Sequence, residues 1–440
     1  MSLFRNFERS FTKLDIPFTK VVVAYSGGLD SSVLLKLSQQ LFTKHPHIAL
    51  VAVHVNHGLQ QQAKQWQRHC QEQAELFGVP FVAESVELQI KPRESIEAAA
   101  RTARYAALAK HVDSESLLLT AHHADDQFET LMLALKRGGG LSGLAAMPDC
   151  RRFAQGHLFR PLLVSTRADL QCYAQQSDLS WIEDPSNQSM QFDRNFLRHQ
   201  VLPELTQRWP QLLQTVRRSV THLQESKHLI DELAASDMRN CALADSIDCA
   251  QLLLLSEARC KNVLRFWLNA QSWSYPSQAQ LQQVVAQCQA KADAKVTISL
   301  PQGQIRRFKG RLYLVDKASL FEQSEVDVWD MKAQPCLALQ NGSRLSWHKG
   351  GRLLPPGSAQ RVSIRFRDEL SIDSFNSVER HGNRSIKKLL QEAHLKPWLR
   401  NRIPFVFYDE HLVAIADLYT SKAFLAERSE GIRLKWQASH

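Results

Sequence analysis

The stretch Ser26-Gly27-Gly28-Leu29-Asp30-Ser31 has the residue types that hold an anion. It follows an apolar run, Val21 to Tyr25, and leads into Ser32 to Leu41, whose apolar residues recur at helical spacing. Two glycines let the backbone turn tightly and approach a phosphate, and the amides that open the helix face that phosphate along the helix dipole. Ser26, Ser31 and Ser32 add hydroxyl donors. An ordinary strand-to-helix turn with a serine cap shares some of these features. It does not combine a strand, a glycine pair, an acid and a helix. Gly-Lys-Ser and Gly-Lys-Thr are absent, so the turn is not a Walker loop. The second stretch, His122-His123-Ala124-Asp125-Asp126-Gln127-Phe128-Glu129-Thr130, places two histidines and three acids close together. Asp125 and Asp126 lie four and three residues before Glu129, so a helix brings some of these carboxylates to one face. Beside a triphosphate such oxygens ligate Mg²⁺. Helix-dipole complementation explains one acid at a helix start, but not this group.

Other polar strings accompany these two. Asn56 and His57 end an apolar run, Ile48 to Val55. Arg101 and Arg104 stand one turn apart in the Ala-rich segment Ser95 to His111, and Arg194 and Arg198 are four apart. All four suit phosphate contact, although a solvated basic face would look the same. Between residues 381 and 402, Arg384, Lys387, Lys388, Lys396, Arg400 and Arg402 face a single acid, Glu392. A basic stripe with an aromatic residue, here Trp398, is a fair RNA footprint. A tryptophan in such a place is more often core than a stacking platform.

The elements that must carry these residues alternate in the first half. Strand candidates run from Val21, Ile48, Phe81 and Ser116. Helical patterns cover Ser32 to Leu41, Gln60 to Phe77, Ser95 to His111 and Ala124 to Lys136. This alternation predicts a doubly wound parallel sheet, with ligands at the carboxyl ends of its strands. Both main motifs fall at such ends. From Arg167 to Ile230 the pattern is helical. Cys249 to Ala290 reads as two helices, and Lys295 to Val315 as three short strands. Residues 317 to 360 carry Pro335, Pro355, Pro356 and several glycines, which reads as loop. The expected organisation is a catalytic α/β domain over 1–215, a helical linker and middle α+β domain over 216–325, a linker over 326–356 and a C-terminal α+β domain over 357–440.

A chain of 440 residues with a net charge of +10 calls for several domains and a polyanionic partner, either nucleic acid or an anionic membrane surface. Its longest aliphatic run, Leu252 to Leu255, is far below the ~20 residues of a membrane span. The first fifteen residues space Phe4, Phe7 and Phe11 as an amphipathic helix, and Glu8 and Asp15 oppose a transit peptide. Eight cysteines lack any Cys-x-x-Cys or zinc spacing, which points to reduced thiols in the cytoplasm.

The glycine turn resembles the PP-loop of ATP pyrophosphatases, whose fold is of the adenine nucleotide alpha hydrolase type. The His122–Thr130 string closely resembles the tRNA(Ile)-lysidine synthetases, as do Arg137-Gly138-Gly139-Gly140-Leu141-Ser142-Gly143-Leu144 and Asp184-Pro185-Ser186-Asn187 followed by Arg194-Asn195-Phe196-Leu197-Arg198. The segment 381–404 resembles that family's small C-terminal domain. The resemblance implies ATP and Mg²⁺ as cofactors. It places ATP on Ser26, Gly27, Gly28, Leu29, Asp30, Ser31, Asn56 and His57, and Mg²⁺ on Asp125 and Asp126. It gives Asp30, His123, Asp125, Asp126 and Glu129 the catalysis. It leaves tRNA to Arg101, Arg104, Arg194, Arg198, Arg384, Lys387, Lys388, Arg400 and Arg402. The implied reaction joins free lysine to C2 of the wobble cytidine of a tRNA(Ile) with a CAU anticodon, in a monomer or homodimer. Three alternatives stand beside it: a PP-loop tRNA thiolase, an amidating synthetase such as those for NAD or GMP, and a non-catalytic RNA-binding protein on an old nucleotide fold.

Overall fold

The structure is a computed structural model that describes residues 2–56, 62–88, 96–185, 189–290, 297–317, 327–367, 370, 372–427 and 430–438. It divides into two compact units, Met1–Leu229 and Ile230–His440.

The first unit opens with α1 (Leu3–Thr12) and then alternates β1 (Lys20–Ala24), α2 (Leu29–Phe42), β2 (Ala49–Asn56), α3 (Ala63–Leu76), β3 (Phe81–Ser85), α4 (Ile96–Ala109), β4 (Ser116–Leu119) and α5 (Ala124–Lys136). A short α6 (Leu141–Leu144) precedes the hairpin of β5 (Cys150–Phe153) and β6 (Gly156–Phe159). The sheet order is β3-β2-β1-β4-β6-β5. All neighbours are parallel except β5 and β6. The central strand shows why the sheet is wound on both faces. Val21 and Val23 pack with Phe7 of α1, Leu34 of α2 and Leu170, while Val22 packs with Leu108 of α4 and Leu158. Successive side chains of a strand point to opposite faces, so a strand buried on both faces reads as an unbroken apolar run. Burying each of these valines contributes about 1.5–3 kcal/mol.

The expected strands and helices of this unit are present with ends shifted by a few residues. The β5–β6 hairpin had no counterpart in the sequence reading. Its polar residues, Arg151, Arg152 and His157, break the apolar pattern because β5 lies at the sheet edge. After β6 come α7 (Arg167–Gln176), α8 (Asp193–Phe196), a π-helical turn (Leu197–Val201), α9 (Leu202–Arg208) and α10 (Leu212–Cys241).

In the second unit, the strands Ala242–Leu243, Ser246–Asp248, Arg311–Asp316, Gly303–Phe308 and Thr297–Leu300 form one sheet in that order. Helices Glu257–Ala270 and Gln278–Gln289 cover it through Leu264, Leu268, Leu281 and Val284. The segment expected as linker is not one. Asp327–Val328 pairs with Val362–Arg365, and Arg344–Gly351 pairs with Gly431–Gln437. Trp329, Leu345 and Leu353 anchor these strands in the same core as Ile364, Val406 and Leu434. Prolines and glycines at the turns hid the short alternating strands between them. Five cysteines of the chain, Cys70, Cys241, Cys249, Cys260 and Cys288, are buried, and all eight are free thiols.

Candidate active site

A cleft of about 720 Å³ opens where the carboxyl ends of β1, β2 and β4 meet the N-termini of α2, α5 and α7. Ser26, Gly28, Asp30, Asn56, His122 and Asp126 line it. The backbone leaves β1 through Tyr25, whose amide donates to Val53 O at 2.9 Å, and turns at Gly27. Gly27 has φ +85°, and a Cβ there would lie 2.6 Å from Cys70 Sγ. Both facts require glycine. Gly28 caps α2 with extended backbone, and its amide donates to Ser26 Oγ at 3.4 Å. Ser31 Oγ donates to Gly28 O at 3.0 Å and lies 3.0 Å from Ser26 Oγ, so the two serines brace the turn from inside. Ser26 is exposed and Ser31 buried. The result is a cradle of backbone amides at a helix N-terminus with a hydroxyl on its rim, which is suited to a phosphate.

The acids gather around one imidazole. His123 has no exposed surface, and its Nδ1 lies 3.3 Å from Asp125 Oδ2. Its Nε2 lies 3.4 Å from Asp126 Oδ2 and 3.6 Å from Asp30 Oδ2. Burial opposes charge on this ring, but Asp126, Asp125 and Asp30 outweigh it and raise the pKa to about 10. His123 is therefore a buried imidazolium that holds three carboxylates from β1–α2 and α5 in place. Asp126 is half-buried, which would raise its carboxyl, yet His123 and Arg198 hold it down at about 2. His122 behaves oppositely. Burial, with the repulsion of Arg160, Arg101 and Arg104, depresses its pKa to about 3 against the pull of Asp126, and its Nδ1 lies 2.9 Å from Thr120 Oγ1. Its ring is neutral on the cleft wall. His54 is also kept neutral by burial, with Nδ1 3.0 Å from Tyr25 O.

The remaining expected residues divide by reach. Glu129 is fully buried. Arg198 bridges it at 2.7 Å and 3.2 Å, and Arg194 lies 3.4 Å away. Burial holds its carboxyl above the ordinary range despite Arg198. It is not among the residues that border the cleft, and its carboxylate is held against Arg198. Arg198 also donates to Asp126 at 2.9 Å and itself lines the cleft. Asp125 does not line the cleft. Its Oδ2 accepts from the Arg167 amide at 2.9 Å, tying α5 to the start of α7. Arg104 lines the cleft, and Arg101, exposed, lies over the Tyr105 ring at 5.1 Å. Asn56 lines it as well and donates to Gln67 Oε1 at 3.3 Å. His57 lies outside the described residues.

In the second unit Lys387 and Lys388 are exposed, and Arg384 pairs with Glu392 at 2.5 Å. Arg400 is partly buried and donates to Leu395 O at 3.2 Å. Arg402 is 4 % exposed and donates to Asn341 O, so its expected place on an RNA-facing surface is corrected: it closes a turn inside the fold. Trp398 is half-buried and packs against Tyr313 at 5.3 Å and Phe308 at 6.2 Å. The sequence reading missed Arg167, Trp66, Trp181 and Glu183, all on the cleft wall. Arg167 was legible only as the first residue after a Thr166 cap. The others carry no pattern.

A glycine turn at a helix N-terminus, followed by an acid and set at the switch of a doubly wound sheet, defines a PP-loop ATP-binding protein. Residues 3–205 match the PP-loop domain family, 247–313 the TilS substrate binding domain and 362–436 the TilS substrate C-terminal domain. The chain is 39 % identical over 421 residues to the tRNA(Ile)-lysidine synthase of Shigella flexneri, covering 95 % of this chain and 96 % of that protein. It is 41 % identical over 420 residues to the enzyme of that name from Serratia proteamaculans (strain 568), covering 95 % of each. Among solved structures, the U34-tRNA thiolase NcsA from Methanococcus maripaludis matches 50 % of this chain and 77 % of its own at 17 % identity and a TM-score of 0.43. The chain belongs to the tRNA(Ile)-lysidine synthase family, whose members are ATP-dependent ligases on a PP-loop domain.

Proposed function

We propose that this chain joins the ε-amine of free lysine to C2 of the wobble cytidine in a tRNA(Ile) with a CAU anticodon. In the first step the C2 oxygen of the cytosine attacks the α-phosphorus of ATP, and pyrophosphate leaves. In the second the lysine nitrogen adds at C2, loses a proton and expels AMP with the C2 oxygen. The helix N-terminus at Gly28 and the hydroxyl of Ser26, both on the cleft wall, would meet the pyrophosphate and favour its departure, since fixed dipoles cost no reorganisation as charge develops. Arg198, held by Glu129 and Asp126, and Arg167, 3.8 Å from Asp30, place positive charge on the cleft wall beside the acids. Mg²⁺ supplies charge neutralisation on the phosphates when bound. Asp30 suits it, because its Oδ1 is buried with no hydrogen-bond partner, and Asp126 stands beside it on the cleft wall. Among the described residues no three of His, Cys, Asp or Glu form a ready metal cage.

The observation that carries this reading is the anion cradle and acid-lined cleft within a chain that also matches both substrate domains of the family. A thiolase would need a sulfur carrier at the cleft, and no described cysteine lines it. The reaction belongs in the cytoplasm, where tRNA, ATP and lysine meet. No described helix is long and apolar enough to cross a membrane. The test supplies the tRNA, Mg²⁺ and α-³²P ATP without lysine. Label becomes fixed to the tRNA. Adding lysine releases labelled AMP and raises the nucleoside mass by lysine less water. Label on lysine before any on tRNA, or none on either, overturns the reading.

A further inference from the structure

Phe192, the N-cap of α8, and Phe196, its last residue, are 46 % and 45 % exposed. They have no freedom to turn inward. Between and after them Arg194 and Arg198 are locked onto Glu129, Asn195 is buried with its amide on Ser189 O at 2.8 Å, and Leu197 is buried. The outer face therefore presents two phenyl rings to solvent and continues to His199, which is exposed and lines the cleft. A cation stands beside it: Lys136, exposed at the end of α5, pairs with Asp193 at 2.6 Å.

We infer that Phe192 and Phe196 form a stacking surface for the single-stranded nucleotides next to the base that enters the cleft. This rests on the proposed reaction, which brings one anticodon base to the cleft and leaves its neighbours unstacked at the rim. Ring faces accept any base and cations track the backbone, the combination that single-stranded RNA needs. A duplex would offer no free base faces here. The rim then helps set how deeply the loop is drawn in, while the cleft itself reads the base.

The test uses the full chain with Phe192→Leu and Phe196→Leu together, which keep apolar area but remove the ring faces, and with both changed to Tyr, which restores them. The probe is an anticodon stem-loop carrying 2-aminopurine beside the wobble cytidine. The Leu pair raises KM for the stem-loop about 10-fold, abolishes quenching of the 2-aminopurine, and leaves KM for ATP unchanged. The Tyr pair recovers both. Wild-type KM and quenching in the Leu pair overturn the inference, as does a change in sedimentation in place of one in KM, which makes the face a contact between copies. If the wild-type protein forms no lysidine, the proposed reaction fails, while quenching of the stem-loop by wild type against the Leu pair still decides the stacking surface.

Discussion

Removing Arg198 tests the claim that Glu129 is a structural anchor. Glu129 has no exposed surface and holds two cations, Arg198 through two contacts at 2.7 Å and 3.2 Å and Arg194 through one at 3.4 Å. Arg198→Met leaves that carboxylate buried with only the longer contact. Stripping one partner from a buried pair costs ~3–5 kcal/mol. With Arg194 still in place, the lower end, ~3 kcal/mol, is the expected figure. For a unit the size of Met1–Leu229 this moves the melting point down by roughly 6–12 °C. Glu129→Gln alone costs less, because Gln still accepts from Arg198. In the Arg198→Met background the same change costs still less or becomes favourable, since a neutral amide needs no cation. A double-mutant cycle therefore gives a coupling of about 2 kcal/mol. The measurements are thermal melts of the full chain, and native-state hydrogen exchange of peptides covering α5, which locate the loss. Arg198→Lys keeps the charge but not the planar fork and recovers only part. Additive single costs, or an Arg198→Met protein that melts as wild type and merely loses turnover, would refute the anchor and return Glu129 to the catalytic group.

Asp30→Ala and Ser26→Ala each lower turnover by ~10²–10³ with little change in melting, as expected when groups facing a transferring phosphoryl are lost; steady-state kinetics beside thermal melts decide this. Gly27→Ala abolishes ATP binding measured by calorimetry, because the new Cβ meets Cys70 Sγ at 2.6 Å in a backbone with φ +85°. Adding Cys70→Ala clears the clash but not the backbone strain, so recovery is partial. Chelating Mg²⁺ stops pyrophosphate release in a stopped assay, and restored Mg²⁺ recovers it. A chain ending at Lys317 holds ATP but binds tRNA weakly, and the salt slope of its binding flattens by roughly one unit per lost phosphate contact; Lys387→Ala with Lys388→Ala in the full chain flattens it by about two units. A cut near Gly357, in contrast, splits the sheet that joins Arg344–Gly351 to Gly431–Gln437 and reports misfolding rather than lost contacts.

The catalytic fold was legible where its physics is local. A strand buried on both faces must be an apolar run, and Val21 to Tyr25 is one. Helices with one buried side show their period, and the glycine pair at 27 and 28 punctuates the turn between. The edge hairpin was not legible, because Arg151 and Arg152 are exposed on its edge strand and His157 breaks the apolar run that Leu158 and Phe159 carry into the core. The strands over 327–351 were missed for a related reason. Asp327–Val328 and Cys336–Ala338 are only two and three residues long, and Asp327–Val328 and Arg344–Gly351 find their partners, Val362–Arg365 and Gly431–Gln437, far along the chain, where no local window contains the pairing.

The site divides along the same line. Motif residues fell at strand ends, where a doubly wound sheet puts its ligands, and Ser26, Gly28, Asp30, Asn56 and Asp126 do line the cleft. What each acid does there depends on partners that spacing cannot reveal. Asp125, Asp126 and Glu129 look alike in the sequence. Asp125 turns to a backbone amide of α7, Asp126 faces the cleft, and Glu129 is sealed beneath Arg198, a residue 69 positions away. The same holds for the cations, since Arg402 and Lys388 sit in one basic stripe but only Lys388 meets solvent. His123 shows why the clustering is needed at all. Three carboxylates converging on one point would repel and take up protons, and burial would strengthen that tendency. Against burial, His123 at their centre holds the carboxyls of Asp125 and Asp126 below the ordinary range, and it lies 3.6 Å from Asp30, so Asp30 and Asp126 stand together on the wall that a nucleotide and its cation meet.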